Sequence, residues 1–259
     1  KRRGLIDHCF IICGVNSLKL NFKNEIMKYS TESAVVLGEY TTRTGKVRYR
    51  SLEKRAEQLR NPIDEFFVIT NLESIRDDRI VEAFQKSANK FGLILFDEAH
   101  KATTKTSQQG TNLLKLDADF KVAATGTLIT NNPLSAYVPL VWTDNDRSIL
   151  STFKPQYCVT GGIKDSQVIG YRNLEVLQEE IQSCSLRRTL AEVRSDMPDK
   201  IITTEVLEMD DTQRKFYEAI REGVKEEADK IVLKSSNLLA LTTRLRQATA
   251  CPSLLTTQK

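Results

Sequence analysis

Short apolar runs separated by amphipathic stretches pattern the first half of the chain. Cys9-Phe10-Ile11-Ile12-Cys13 is apolar without interruption and ends at Gly14, as a strand buried on both faces would. Ser17 then stands where it would cap a helix, with Leu18, Phe22, Ile26 and Tyr29 at the three-and-four spacing of one helical face. Ala34 to Leu37 predicts a second strand and Glu65 to Thr70 a third, followed by a helical stretch to about Lys90. Leu93-Ile94-Leu95-Phe96 predicts a fourth strand ending in Asp97, and Lys121 to Thr125 a fifth. Such alternation predicts an α/β fold, a parallel central sheet flanked by helices, with ligands beyond the carboxyl ends of the strands.

Two regions depart from this rhythm. Residues 38–50 hold Gly38, Gly45 and several threonines among Arg43, Lys46, Arg48 and Arg50, a polar loop or hairpin without core periodicity. After about residue 150 the pattern changes: Thr160-Gly161-Gly162 marks a turn and Ile201 to Met209 alternates like a strand. Two helices are then expected, from about Asp211 to Leu233, with Phe216, Ile220, Val224 and Ile231 on one face, and from about Asn237 to Cys251-Pro252. The organisation expected is therefore an α/β region over residues 1–150 and, over 151–259, a remainder that ends in a helical extension.

Charge adds a direction. The net charge is +4, but residues 1–60 carry 13 Lys/Arg against 6 Asp/Glu, so the basic surface lies N-terminal. Phosphate contacts and a merely solvated loop both fit that excess. Five scattered cysteines without a C-x-x-C pair indicate neither a zinc site nor a disulfide framework, and a reducing cytoplasm suits them. Two histidines argue against a histidine-rich metal centre. No apolar run approaches the ~18 residues of a membrane span. The apolar stretch after Lys1, Arg2 and Arg3 is broken by Asp7 and His8 and lacks the cleavage pattern of a signal peptide.

Candidate chemistry falls at the predicted strand ends. Asp97 and Glu98 follow the fourth strand, where one carboxylate can hold Mg²⁺ through water and its neighbour can orient or deprotonate an attacking water. The same pair also suits a plain helix N-terminus. Their surroundings favour the first reading. Asp97-Glu98-Ala99-His100 after a buried strand, with Ala124-Thr125-Gly126-Thr127 about 25 residues later, resembles the second and third motifs of superfamily-two helicases. Leu128 to Leu134 is similar to the stretch that follows in Swi/Snf ATPases, with Leu128 where proline is usual; the S-A-T of RNA-directed DEAH helicases is not matched.

Upstream, Ile11 to Leu18 with Phe22 and Glu25 resembles the family's I-V-C-P-x-S-L-x-x-x-W-x-x-E segment, Phe22 standing for tryptophan. Phe67 to Glu73 resembles its V-I-T-Y-E block. Downstream, Leu186-Arg187-Arg188, Met197-Pro198-Asp199-Lys200, Gln213 to Tyr217, Leu245-Arg246-Gln247 and Cys251-Pro252 keep the family's landmarks in order. The chain is thus similar to the first RecA-like lobe of a Swi/Snf-type, DEAH-box ATPase over nearly its whole length.

This resemblance implies ATP and Mg²⁺ as the nucleotide and metal, double-stranded DNA as the track, and a second RecA-like lobe of the same protein as partner. It assigns Asp97, Glu98 and His100 to catalysis, with Asp97 holding the metal through water. It gives Thr125, Gly126 and Thr127 to the coupling of ATP to DNA, and His100 would link the nucleotide site to them. Ser17, Thr70, Asn71, Arg43, Lys46, Arg48 and Arg50 are then the nucleic-acid contacts. Arg187 and Arg188 suit structural ion pairs better than ligands. The phosphate-cradling pattern G-x-x-x-x-G-K-[ST] does not occur; the one Gly-Lys pair, Gly45-Lys46, precedes Val47 in the basic loop. In relatives that loop precedes the position of Cys9, and the second lobe with its arginine finger is expected soon after Leu255.

The chain alone is therefore expected to be inactive. Two readings remain: part of an ATP-dependent DNA translocase or helicase, or a non-catalytic nucleic-acid or protein-binding module that keeps the fold. A carboxylate metallohydrolase would need further Asp or His ligands. Compact spacing of the motifs suggests a bacterial or phage cytoplasmic protein rather than a nuclear one.

Overall fold

The computed structural model describes residues 3–162, 167–194, 201–229 and 235–251. The chain forms two compact units, residues 1–188 and 189–259. In the first, strand β1 (His8–Cys13) leads into helix α1 (Leu18–Tyr29) and strand β2 (Ala34–Val36). A hairpin of β3 (Glu39–Thr41) and β4 (Val47–Tyr49) follows, then α2 (Leu52–Arg60), β5 (Phe67–Asn71), α3 (Leu72–Ile75) and α4 (Asp78–Gln85). Next come β6 (Phe91–Asp97), α5 (Gln108–Leu113), β7 (Phe120–Ala124), α6 (Tyr137–Trp142) and α7 (Leu150–Tyr157). The antiparallel pair β8 (Cys158–Gly161) and β9 (Gln167–Tyr171) and helix α8 (Leu174–Cys184) complete this unit.

Five strands form one parallel sheet in the order β2-β5-β1-β6-β7. The period of two in a strand explains why β1 had to be apolar throughout. Phe10 and Ile12 enter one core with Val68, Ile94 and Phe96, while Cys9, Ile11 and Cys13 enter the other with Val36 and Ile69. Burial pushes the thiols of Cys9 and Cys13 up to about 12, so both are packing groups. The first core is extended by Trp142, Phe153, Tyr157 and Leu177, which carries this unit well past residue 150. Over the second face α1 lays Leu20, Phe22 and Ile26.

Beside β6 that cover ends. β7 closes the row of strands, and Phe120 and Val122 on it are 49% and 46% exposed. They lie opposite Leu93 and Leu95, themselves only partly buried.

Several expectations are corrected. Ser17 precedes α1 in helical backbone geometry and makes no side-chain cap. The expected face of α1 holds at Phe22 and Ile26 but not at Tyr29, which is exposed, and the fully buried position is Lys19. The helical stretch after β5 breaks at Asp77, whose carboxylate accepts the Arg79 N–H and starts α4 afresh. The alternating segment from Ile201 forms no strand; Ile202 and Val206 are exposed, because alternation without a ladder partner leaves backbone groups to solvent.

The second unit, described by itself, contains α9 (Leu190–Val193), α10 (Asp211–Asp229) and α11 (Ser235–Ala250). Phe216 and Ile220 of α10 are half-buried, and Gln213 Nε2 donates to Thr249 O of α11. The Met197-Pro198-Asp199-Lys200 landmark, Ile231, Pro252 and the side chain of Val224 lie outside the described residues.

Candidate nucleotide and nucleic-acid site

The carboxyl ends of β1, β6 and β7 converge. Asp97 is the last residue of β6, paired in register with Ala124 of β7, so Thr125 follows directly beside it. Glu98 then takes left-handed backbone geometry, φ 54°, which few non-glycine residues adopt and which turns its side chain out of the strand. Gly14 lies against this turn: a Cβ there would fall 2.5 Å from Glu98 Cβ and 2.6 Å from Asp97 O. Only glycine lets the end of β1 approach so closely. Lys101 fixes the approach from the other side, its Nζ donating to Gly14 O at 3.0 Å.

Ala99 and Ala102, both buried, seat a short 3-10 turn that carries His100 between them. His100 Nδ1 lies 3.0 Å from Thr125 Oγ1 and 3.1 Å from Glu98 Oε2. One nitrogen thus serves two oxygens. As N–H it donates to the Glu98 carboxylate; as a bare nitrogen it accepts the Thr125 hydroxyl proton. Thr125 Oγ1 also accepts from the Thr127 N–H at 3.1 Å, which pins the loop after β7, while Gly126 has open space about its Cα. Sequence reasoning brought Asp97, Glu98, His100 and Thr125 to one place; it missed Gly14 and Lys101.

Burial, and next to it the charge of Glu98, raise the Asp97 carboxyl above its ordinary range. Among the described residues no ion pair engages Asp97, and Lys101 spends a donor on Gly14 O instead. Two neighbouring carboxylates, Asp97 without an ion pair and Glu98 facing only the His100 nitrogen, with a solvent-accessible side fit a hard divalent cation that keeps several waters, as Mg²⁺ does. No group of three or more His, Cys, Asp or Glu side chains placed to hold a metal ion occurs among the described residues.

The expected nucleic-acid residues divide. Arg43, Lys46, Arg48 and Arg50 are exposed on the β3–β4 hairpin, whose loop is closed by Thr42 N–H to Lys46 O and by Gly45 at φ 77°. Ser17 is exposed beside the end of β1. Thr70 and Asn71 are not on that surface: Thr70 is 2% exposed, with a hydroxyl lacking a partner. Asn71 is buried in a polar cluster with Lys19, Glu73 and Ser74. Both side chains are thus buried at the end of β5, unlike the exposed Ser17 and hairpin residues.

Among the described residues, no helix is long and apolar enough to cross a membrane. The sequence is 27% identical over 237 residues to an uncharacterized ATP-dependent helicase of Mycoplasma pneumoniae, covering 91% of this chain and 21% of that protein. It is 24% identical over 231 residues to the ATP-dependent helicase FUN30 of Saccharomyces cerevisiae, covering 80% of this chain and 20% of that protein. The chain thus spans about a fifth of the length of these relatives. Its fold matches the Sulfolobus solfataricus SWI2/SNF2 ATPase core in complex with dsDNA, with a TM-score of 0.54 at 20% identity, over 100% of this chain and 51% of that one. The parallel sheet with flanking helices is therefore the RecA-like lobe that the sequence led us to expect. The SNF2-related domain matches residues 1–254, with the paired carboxylates and their histidine in the interior of that span, and the chain belongs to the SNF2-related family.

Proposed function

We propose that this chain is the first-lobe portion of an ATP-dependent DNA translocase or helicase, and that it couples ATP hydrolysis at Asp97 and Glu98 to contacts on duplex DNA. The observation that carries this reading is the His100 nitrogen held between Glu98 and Thr125, because it joins a water-activating carboxylate to the loop after the neighbouring strand. Glu98 is the group that orients and deprotonates the attacking water. Asp97 would hold Mg²⁺ through water, and the bound metal would neutralise charge on the triphosphate. His100 keeps Glu98 oriented and reports its state to Thr125 and Thr127.

No phosphate cradle occurs in the sequence, so that part of the site has to come from elsewhere in the protein. The uncovered edge of β7 suits it: a further parallel strand there would end beside Thr125, with β7 between it and Asp97. The exposed Arg43, Lys46, Arg48 and Arg50 and the half-exposed rim near Ser17 are the DNA contacts in this reading. The S. solfataricus core in complex with dsDNA supports a duplex as the track. A second lobe of the same protein would complete the site across the cleft.

The test is Glu98→Gln in the protein that carries both this lobe and a phosphate-binding loop. DNA-stimulated ATP turnover should fall at least ~100-fold while nucleotide binding is kept. Turnover equal to wild type removes Glu98 from this role. The 259-residue chain alone should hydrolyse ATP no faster than the same chain carrying Glu98→Gln.

A further inference from the structure

Lys19 is the unexpected residue of the fold: a lysine 2% exposed, in the first turns of α1, without a carboxylate partner among the described residues. Its Nζ stands 3.9 Å over the ring of Tyr49 and donates to Asn71 Oδ1 at 3.4 Å. An ammonium so far from water needs compensation, and an aromatic face with an amide oxygen supplies it. One helical turn later, Lys23 Nζ donates to Glu39 Oε2 at 2.7 Å in a largely buried ion pair. Glu39 and Tyr49 are cross-strand partners at the foot of the β3–β4 hairpin. Two lysines at i and i+4 on one helix therefore grip both strands of the hairpin at its root.

The hairpin's other fastenings sit at the same level. Arg55 Nε donates to Arg50 O and its Nη1 to Ser74 Oγ, and Arg55 also lies 5.7 Å from the centre of the Tyr49 ring. Beyond this root no side chain from the rest of the fold is bonded to Arg43, Lys46 or Arg48 among the described residues, so the hairpin projects its charges as an arm held from one end. A two-stranded hairpin is marginal by itself and needs packing to keep one orientation.

We propose that Lys19, through the ring of Tyr49, is a positioning residue that locks this basic arm to α1, so that the arm's phosphate contacts depend on a buried cation that touches no phosphate itself. This rests on the reading of the arm as a DNA-phosphate contact. The same helix starts just past Gly14, which lies against the Glu98 turn, so the clamp ties the arm to the rim of the nucleotide site. Burial, and next to it the nearby Arg55, lower the Lys19 pKa, so the ring of Tyr49 and the Asn71 amide oxygen are the groups that offset the cost of its charge.

Two measurements test it. In the 259-residue chain, Lys19→Met keeps the length of the side chain and removes the charge; amide hydrogen exchange over residues 39–49 should become about tenfold faster while β1 and β6 stay protected. Tyr49→Leu should do the same, Tyr49→Phe, which keeps the ring, should leave exchange as in wild type, and the double variant Lys19→Met, Tyr49→Leu should be no faster than either single one. Unchanged exchange in Lys19→Met, or equal effects of Tyr49→Phe and Tyr49→Leu, overturns the clamp. In the full protein, Lys19→Met should weaken duplex binding roughly three- to tenfold, with Tyr49→Phe unaffected. If exchange rises but binding does not, while alanine at Arg43, Lys46, Arg48 and Arg50 does weaken binding, positioning by Lys19 is overturned and the arm's DNA role stands. If the alanine variant also binds normally, the DNA reading of the arm is what fails.

Discussion

His100 Nδ1 stands 3.0 Å from Thr125 Oγ1, across a gap of 25 residues in sequence and between two neighbouring strands of the sheet. The imidazole can face Glu98 or Thr125 with its single proton, so the state of one oxygen fixes what the other receives.

If this relay carries the coupling, His100→Ala and Thr125→Val in the full protein should each lower DNA-stimulated turnover by roughly 10- to 100-fold. The double variant should be no slower than the worse single one, since both cut the same link. Steady-state ATPase assays with and without duplex check this; additive losses would separate the two residues.

The raised Asp97 carboxyl has a stability consequence in the isolated chain. A carboxyl whose folded pKa lies above its unfolded value is favourable while protonated, and that contribution is lost as pH rises through the folded value. Asp97→Asn should therefore stabilise the chain at pH 7, and the gain should fade as pH is brought down to about 4. Urea midpoints across that range measure it, and a gain that persists at the acid end would contradict the sign.

Gly14→Ala should destabilise the fold, because its Cβ meets Glu98 Cβ and the Asp97 carbonyl rather than the flexible end of a side chain. The cost expected for forcing such a contact is about 1–3 kcal/mol. Thermal unfolding reads it directly, and Gly126→Ala, where the space is open, is the control that should not move by the same mechanism.

Alanine at Arg43, Lys46, Arg48 and Arg50 should weaken duplex binding about equally across sequences, since phosphate contacts carry no base information. Every phosphate interaction removed should flatten the log–log salt dependence by roughly 0.9. Titrations at several salt concentrations decide it: an unchanged slope in a folded variant makes the arm a solvated loop.

What could be read from the sequence was local. The apolar run of β1 and the Asp97-Glu98 pair at the end of β6 announce themselves, because strand burial and strand-end carboxylates leave a contiguous pattern. The meeting of His100 with Thr125 was legible only through family resemblance, since it depends on the parallel pairing of β6 with β7. The need for Gly14 depends likewise on how β1 lies against β6, and nothing in a lone glycine says which neighbour it must admit. Lys19 was invisible because a lysine reads as solvent-facing until its partners, Tyr49 and Asn71, are brought in from far along the chain. The Ile201 to Met209 segment misled for the opposite reason: its alternation is real, but it meets no ladder.

The last strand of the sheet has a practical consequence at the bench. β7 offers unpaired backbone groups along one side and shows Phe120 and Val122 to water, and Lys121, the residue between them that could discourage strangers, is already engaged with Asp117 and Asp144. Such an edge is a template on which another copy can lay its own strand. A preparation of this chain by itself should lose solubility with concentration, and a charged replacement such as Val122→Lys should keep it in solution where salt alone does not.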